Sequence, residues 1–200
     1  MFIVIEGPNG VGKTTVAHHL ARRLEGDRGL EVRVTTEPTA SELGKLLRFA
    51  GEEITRYALA LGIAADRMLH VEREIGPAIG SGIAVVSDRY VPSSLVLQRI
   101  DGLDLDWIWN LNRFALAPDL VVYLHTPVDV LVRRLAQRKQ RSRMERIGSP
   151  DLEIRLYGEA LEFLTAKGWN QVVIDCEDRD PGEIVAVILD NIDEKSCDVL

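Results

Sequence analysis

The chain has 200 residues, of which 46% are hydrophobic and 28% charged, and its formal net charge is −7. That length suits one domain with a sizeable core, and the acidic balance argues against a broad nucleic-acid-binding surface, so any anionic ligand must be met by local clusters of positive charge. Cys176 and Cys197 are too few and too scattered for a disulfide framework or a zinc site; with no apolar run near the ~20 residues that span a bilayer and no leader pattern at the start, the expectation is a cytoplasmic protein that engages neither membrane nor nucleic acid.

Strands and helices alternate along the sequence. Phe2–Ile5 is a short apolar run that ends at Gly7, as a buried parallel strand would. A helix is expected from about Lys13 to Glu25, a strand over Glu31–Thr36, and helices over Ser41–Ala50 and Ile54–Ile75. Ile83–Ser87 forms the third strand, and a helical region from Pro92 to Phe114 breaks near Asp101-Gly102. Asp119–Leu124 is the fourth strand, Pro127–Lys139 and Asp151–Ala166 are helices, Gln171–Asp175 is the fifth strand, and Pro181–Ile192 is a closing helix. Five strands interleaved with helices predict a three-layer α/β/α fold around a five-stranded parallel sheet, in a single domain spanning residues 1–200. The tail from Glu194 to Leu200 is polar enough to fray.

The segment Gly7-Pro8-Asn9-Gly10-Val11-Gly12-Lys13-Thr14 fits G-x-x-x-x-G-K-[ST], with a strand before it and a helix after it. Its glycines let successive N–H groups turn inward onto phosphate oxygens, and the helix N-terminus adds the positive end of its dipole. The pattern predicts an ATP site from Gly7 to Thr15, in which Lys13 reaches the β- and γ-phosphates and the Thr14 hydroxyl ligates Mg²⁺. Ala84–Ser87 leads into Asp88, a carboxylate at a strand end that can hold the same ion directly or through water. Arg89 follows at once, placed for the transferred phosphoryl group. The predicted metal ligands are therefore Thr14 and Asp88.

Arg133–Arg146 contains six arginines and a lysine. Such a run can be a solvated helix face, but guanidinium groups closing over a γ-phosphate would stabilise spread charge and exclude water. A lid at about residues 138–150 is the expectation, with Arg138 and Arg143 its catalytic contacts beside Lys13, Asp88 and Arg89. His18, His19, His70 and His125 show no metal-ligand spacing, and Trp107 and Trp109 diverge on one helix; these read as structural. No N-K-x-D signature is present, which argues against a GTP switch.

Taken together, these segments resemble the thymidylate kinase family over most of the chain. Phe2–Thr15 is similar to its first strand and P-loop, and Thr36-Glu37-Pro38 followed by Leu43–Arg48 to its Glu-Pro segment and the helix after it. Ala64-Ala65-Asp66-Arg67, Asp88-Arg89-Tyr90 with Ser93-Ser94, Leu111–Ala115 with Pro118-Asp119-Leu120, and Arg143-Met144-Glu145 correspond to its later motifs. The resemblance implies phosphoryl transfer from ATP to a nucleoside monophosphate, most often dTMP, with Mg²⁺ and a homodimer built through helices. It implies that Glu37 and Pro38 shape the acceptor site, that Arg48 and Arg89 hold the acceptor phosphate, and that Arg67 faces the base, with Asn9, Ile63, Ser93, Ser94 and Leu97 completing the pocket.

Four positions depart from the family's pattern. Asn9 stands where an acidic residue commonly meets the acceptor sugar's 3′-hydroxyl, Ile63 where a Phe stacks on thymine, Leu97 where some members place a Tyr, and Thr36 where an Arg is usual. An amide lacks the charge-assisted strength of a carboxylate, and loss of the aromatic face removes about 1 kcal/mol of offset stacking. The phosphate-handling residues are intact. A kinase for another pyrimidine or specialised nucleotide, and a non-catalytic nucleotide-binding regulator, are the alternatives; Lys13, Thr14, Asp88 and Arg89 all being present argues against the regulator.

Overall fold

In the computed structural model, which describes residues 1–49, 53–138 and 143–197, the first apolar run forms β1 (Phe2–Glu6), buried along its whole length. It leads through the Gly-rich loop into α1 (Lys13–Arg28), followed by β2 (Val32–Thr36), α2 (Glu42–Phe49) and α3 (Arg56–His70). After α4 (Gly76–Gly80) come β3 (Ala84–Asp88), α5 (Val91–Ile100), α6 (Leu105–Asn112) and β4 (Leu120–His125). The chain ends with α7 (Val128–Ala136), α8 (Arg143–Ile147), α9 (Pro150–Ala166), β5 (Gln171–Asp175) and α10 (Pro181–Cys197).

The five strands form one sheet in the order β2-β3-β1-β4-β5, and every neighbouring pair is parallel. The expected three-layer α/β/α architecture is therefore present. Side chains alternate along each strand, so Phe2 and Val4 enter one core while Ile3 and Ile5 enter the other. Val121 and Tyr123 share the first core, with α3 to α6 and α9; Val122 and Leu124 share the second, with α1, α7 and α10. A strand sandwiched this way cannot carry alternating polar residues, which is why β1 and β4 read as unbroken apolar runs. Each such side chain contributes roughly 1.5–3 kcal/mol of burial free energy.

Local chemistry sets the breaks. Between α5 and α6, Gly102 adopts φ 83°, a conformation open to glycine, and Asp104 then caps α6 by accepting from the Trp107 N–H at 2.9 Å. Helix α3 runs into α4 through a five-residue π segment, Val71–Ile75, whose wider turn closes with the Gly76 N–H on the Val71 carbonyl. Pro77 follows directly; it has no N–H to donate and its ring crowds the preceding turn, so a widened turn accommodates it. Helix α10 reaches Cys197, which makes the first residues of the tail helical where fraying was expected; residues 198–200 lie outside the described residues.

Strands β1 and β3 are neighbours whose following segments cross to opposite faces of the sheet. Their carboxyl ends therefore open a crevice, the usual ligand position in doubly wound sheets. Close packing beside it is tight at Gly44 in α2, where an added methyl would lie 2.3 Å from the Thr39 carbonyl oxygen, whereas at Gly26 in α1 nothing lies within 4 Å. Gly44→Ala is expected to lower unfolding free energy by about 1–3 kcal/mol, and Gly26→Ala to raise it by roughly 0.5–1 kcal/mol; urea denaturation of both variants measures the contrast.

Candidate active site

The Gly-rich loop after β1 is shaped by three glycines in positive φ, Gly7 at 136°, Gly10 at 89° and Gly12 at 111°. Gly7 also has no room for a side chain, since a Cβ would lie 2.4 Å from the Leu124 carbonyl oxygen. Gly12 is the left-handed N-cap of α1, and no acidic side chain occupies that helix's first turn. Its N–H groups and dipole are thus open to an anion. Pro8, Asn9, Val11 and Lys13 are buried, whereas Thr14 and Thr15 are exposed at the start of the helix.

Lys13 folds back onto its own loop, its Nζ donating to the Gly7 carbonyl at 2.7 Å and the Pro8 carbonyl at 2.9 Å. Burial, and then the positive charge of Arg89, pull its pKa well below the ordinary value, to about 7, against the raising influence of Asp88, Glu6 and Glu153. The Thr14 hydroxyl donates to Asp88 Oδ2, while Asp88 Oδ1 is buried and without a hydrogen-bond partner. A hydroxyl and a carboxylate with one unsatisfied oxygen fit a hard divalent cation such as Mg²⁺.

Arg89 leaves β3 in the left-handed region at φ 78°, held there by its N–H on the Ile5 carbonyl at 3.0 Å and by the Ser87 hydroxyl on its own carbonyl at 2.7 Å. Its guanidinium donates to Asn9 Oδ1 at 2.7 Å and to the Ser93 hydroxyl at 3.1 Å. The backbone twist thus turns Arg89 back across the Gly-rich loop.

Beside this loop lies a cavity of about 540 Å³. All ten residues expected around the acceptor line it: Asn9, Glu37, Pro38, Arg48, Ile63, Arg67, Arg89, Ser93, Ser94 and Leu97. Arg48 donates to the Pro38 carbonyl, next to the cis Glu37-Pro38 bond. Arg67 is fully buried, donating from Nε to Glu37 Oε2 at 2.7 Å and from Nη2 to the Tyr90 carbonyl and the Ser94 hydroxyl at 3.1 and 3.0 Å. Nη1 donates to Asn112. Most of its donors are therefore committed to the protein wall rather than to the cavity.

The arginine-rich stretch is divided among several tasks. Arg134 of α7 donates to the Gly10 and Val11 carbonyls at 3.3 and 3.1 Å, and Arg133 pairs with Asp129 on an exposed face. Arg138 lines the cavity and pairs with Glu145. Arg143 instead pairs with Asp101 at 2.6 Å, and the same carboxylate accepts the Arg56 N–H at 2.6 Å. Arg141 lies outside the described residues. Helix α8 brings Met144 and Glu145 to the cavity.

Five further residues belong to this neighbourhood. Glu6 is fully buried and accepts from the Tyr90 and Ser93 N–H groups at 2.7 and 3.0 Å, the Ser93 hydroxyl at 2.8 Å and the Tyr157 hydroxyl at 3.1 Å. Burial pushes its pKa up, opposed by Arg89, Ser93, Lys13 and the Tyr90 N–H; burial likewise raises the Tyr157 hydroxyl. Glu153 accepts two hydrogen bonds from Asn9. Gln98, only 2% exposed, lines the cavity with Oε1 unpartnered. His70 bridges Glu37 Oε1 at 3.0 Å and the Thr35 hydroxyl at 2.7 Å. Glu6 had a signal, a carboxylate ending an apolar strand; the other four sit on helices where their residue types are ordinary.

A Gly-rich loop opening α1, the Thr14–Asp88 pair beside it and an adjoining cavity of nucleotide size, on this sheet order, define a P-loop nucleoside-monophosphate kinase. The sequence-family model of thymidylate kinase matches residues 5–179. The chain belongs to the thymidylate kinase family, ATP-dependent enzymes that phosphorylate dTMP to dTDP. It is similar to probable thymidylate kinases of Thermococcus kodakarensis (43% identical, over 78% of this chain and 80% of the relative) and Thermococcus gammatolerans (45%, over 74% and 76%). A probable thymidylate kinase of Methanococcus maripaludis is 32% identical over 100% of this chain and 98% of its own length.

The Lys13 shift gives ATP binding a pH signature. A bound polyphosphate favours the charged ammonium, so above about pH 7 binding takes up about one proton, and affinity falls roughly tenfold per pH unit toward the ordinary lysine value. Calorimetry at pH 8 in buffers of different ionisation enthalpy measures the uptake; none detected would count against Lys13 as the phosphate contact.

Proposed function

We propose that this chain transfers the γ-phosphoryl group of ATP to dTMP, giving ADP and dTDP, as a single domain whose lid lies at about residues 138–150. The observation that carries this reading is the continuity of the cavity with the phosphate loop through Asn9 and Arg89. That continuity supports an acceptor phosphate in the cavity beside a donor phosphate on the loop.

In this reading residues 7–15 cradle the donor triphosphate, and Lys13 trades its two loop carbonyls for phosphate oxygens. Thr14 and Asp88 would hold Mg²⁺, which neutralises charge on the transferred group. Arg48 and Arg89 hold the acceptor phosphate, and Arg138, with Arg143 once released from Asp101, covers the developing charge. Glu37 and Pro38 form the pocket wall, and Ser93 and Ser94 line it opposite. Arg67 stiffens the base end through Glu37, Asn112 and Ser94, while Gln98 Oε1 offers an acceptor to a donor on the base edge. Ile63 and Leu97 present aliphatic contact to the base and sugar. The same proposal includes a cytoplasmic location and a homodimer; exposed Leu46 and Leu61, on the adjacent helices α2 and α3, support the dimer.

Coupled ATP-consumption assays against dTMP, dUMP, dCMP, UMP and CMP test the acceptor. Turnover is expected to be greatest with dTMP and abolished by EDTA; turnover of another monophosphate alone would reassign the acceptor. Lys13→Ala and Arg89→Ala are each expected to lower kcat by about 10²–10³-fold, with near-normal turnover in either refuting its role. Ile63→Phe should lower the KM for dTMP several-fold if a thymine ring lies against that wall. Sedimentation velocity tests the dimer of two 22.3 kDa chains.

A further inference from the structure

Asn9 is held on two sides by partners of opposite hydrogen-bonding character. Its backbone N–H donates to Glu153 Oε2 at 2.7 Å and its side-chain Nδ2 to Glu153 Oε1 at 2.9 Å. Its Oδ1 accepts from Arg89 Nη2 at 2.7 Å. A carboxylate only accepts and a guanidinium only donates, so the amide has one stable orientation; flipped, it would set its oxygen against a carboxylate and its NH₂ against a guanidinium. Asn9 is 7% exposed and Glu153 3%, so water does not substitute for either partner, and a misplaced polar group there is costly. Glu153 lies in the first turn of α9, where the helix dipole favours its negative charge.

We propose that Glu153 is a positioning residue of the acceptor site, which locks the Asn9 amide so that Oδ1 aims Arg89 at the acceptor phosphate. Residues 9 and 153 form one unit: an amide at 9 requires a carboxylate at 153. In Asn9→Asp two carboxylates face each other without water between them, and one must take up a proton or turn away. In Glu153→Gln one amide hydrogen of residue 153 meets a donor of Asn9 whichever way it points. With both changes every partner is satisfied again. The new carboxylate at position 9 faces Arg89 with one oxygen and the new amide NH₂ at position 153 with the other, while the amide oxygen at position 153 takes the backbone N–H of residue 9.

This inference rests on the proposed kinase activity and is tested by comparing the parent with N9D, E153Q and N9D/E153Q, each checked for folding by circular dichroism. With ATP saturating, each single substitution is expected to lower kcat/KM for dTMP by about tenfold or more, with a smaller change in the KM for ATP. The double variant is expected to regain about tenfold over the worse single. A general loosening of the fold would move both substrates alike and would not be rescued by a second substitution. N9D as active as the parent, or a double variant no better than the worse single, overturns the proposal. Should a single variant not fold, a folded and active double variant supports it and an inactive one refutes it. A parent that does not use dTMP refutes the acceptor assignment, and the four proteins are then compared with the monophosphate that it does use.

Discussion

Buried charge organises this protein. At the carboxyl ends of β1 and β3, Lys13 and Arg89 share a low-dielectric space with Glu6, Asp88 and Glu153. An isolated ion there would carry a desolvation penalty of several kcal/mol, and each is compensated by the others and by hydrogen bonds from fixed backbone and from the side chains of Asn9, Thr14, Ser93 and Tyr157. Glu6 shows how far the dependence extends. By accepting the N–H groups of Tyr90 and Ser93 it acts as a remote cap for α5, so one carboxylate from the first strand sets the angle at which Ser93, Ser94, Leu97 and Gln98 enter the cavity.

Much of this was legible in the sequence because the rules behind it are local. Strand periodicity, the glycine spacing of Gly7–Thr14 and a carboxylate ending β3 follow from backbone geometry within a few residues, and the fold and phosphate loop were read from them. The break at Asp101-Gly102 was visible for the same reason, but what Asp101 does was not: its oxygens meet Arg56 and Arg143, residues far from it in the chain. Glu153, Tyr157 and His70 were hidden alike, since each is an ordinary residue on an amphipathic helix until the tertiary fold supplies its partner. The arginine-rich stretch was recognised as a group, but spacing alone could not divide it between loop, cavity and Asp101.

The Arg67 end of the cavity follows a different logic from the Arg89 end. Arg67 spends its donors on Glu37, Asn112, Ser94 and the Tyr90 carbonyl, and Glu37 is fixed in turn by His70. Such a network gains little net free energy from each bond, yet any gap in it leaves a buried group unsatisfied. Its contribution is rigidity. A wall that does not yield selects by shape, whereas the Arg89 end can select by charge.

Strand β1 has one more consequence, for the order in which the molecule takes form. It precedes its hydrogen-bonding neighbours β3 and β4 in the chain, and the Phe2 N–H finds its partner Asp119 only 117 residues later. The contacts that hold the ends of the phosphate loop in place, from β3 and β4 to β1 and from the Leu124 carbonyl to Gly7, therefore form only once those later strands have been made and paired with β1. Nucleotide recognition is then a late property of the growing polypeptide, and it reports that both halves of the sheet have closed on their centre.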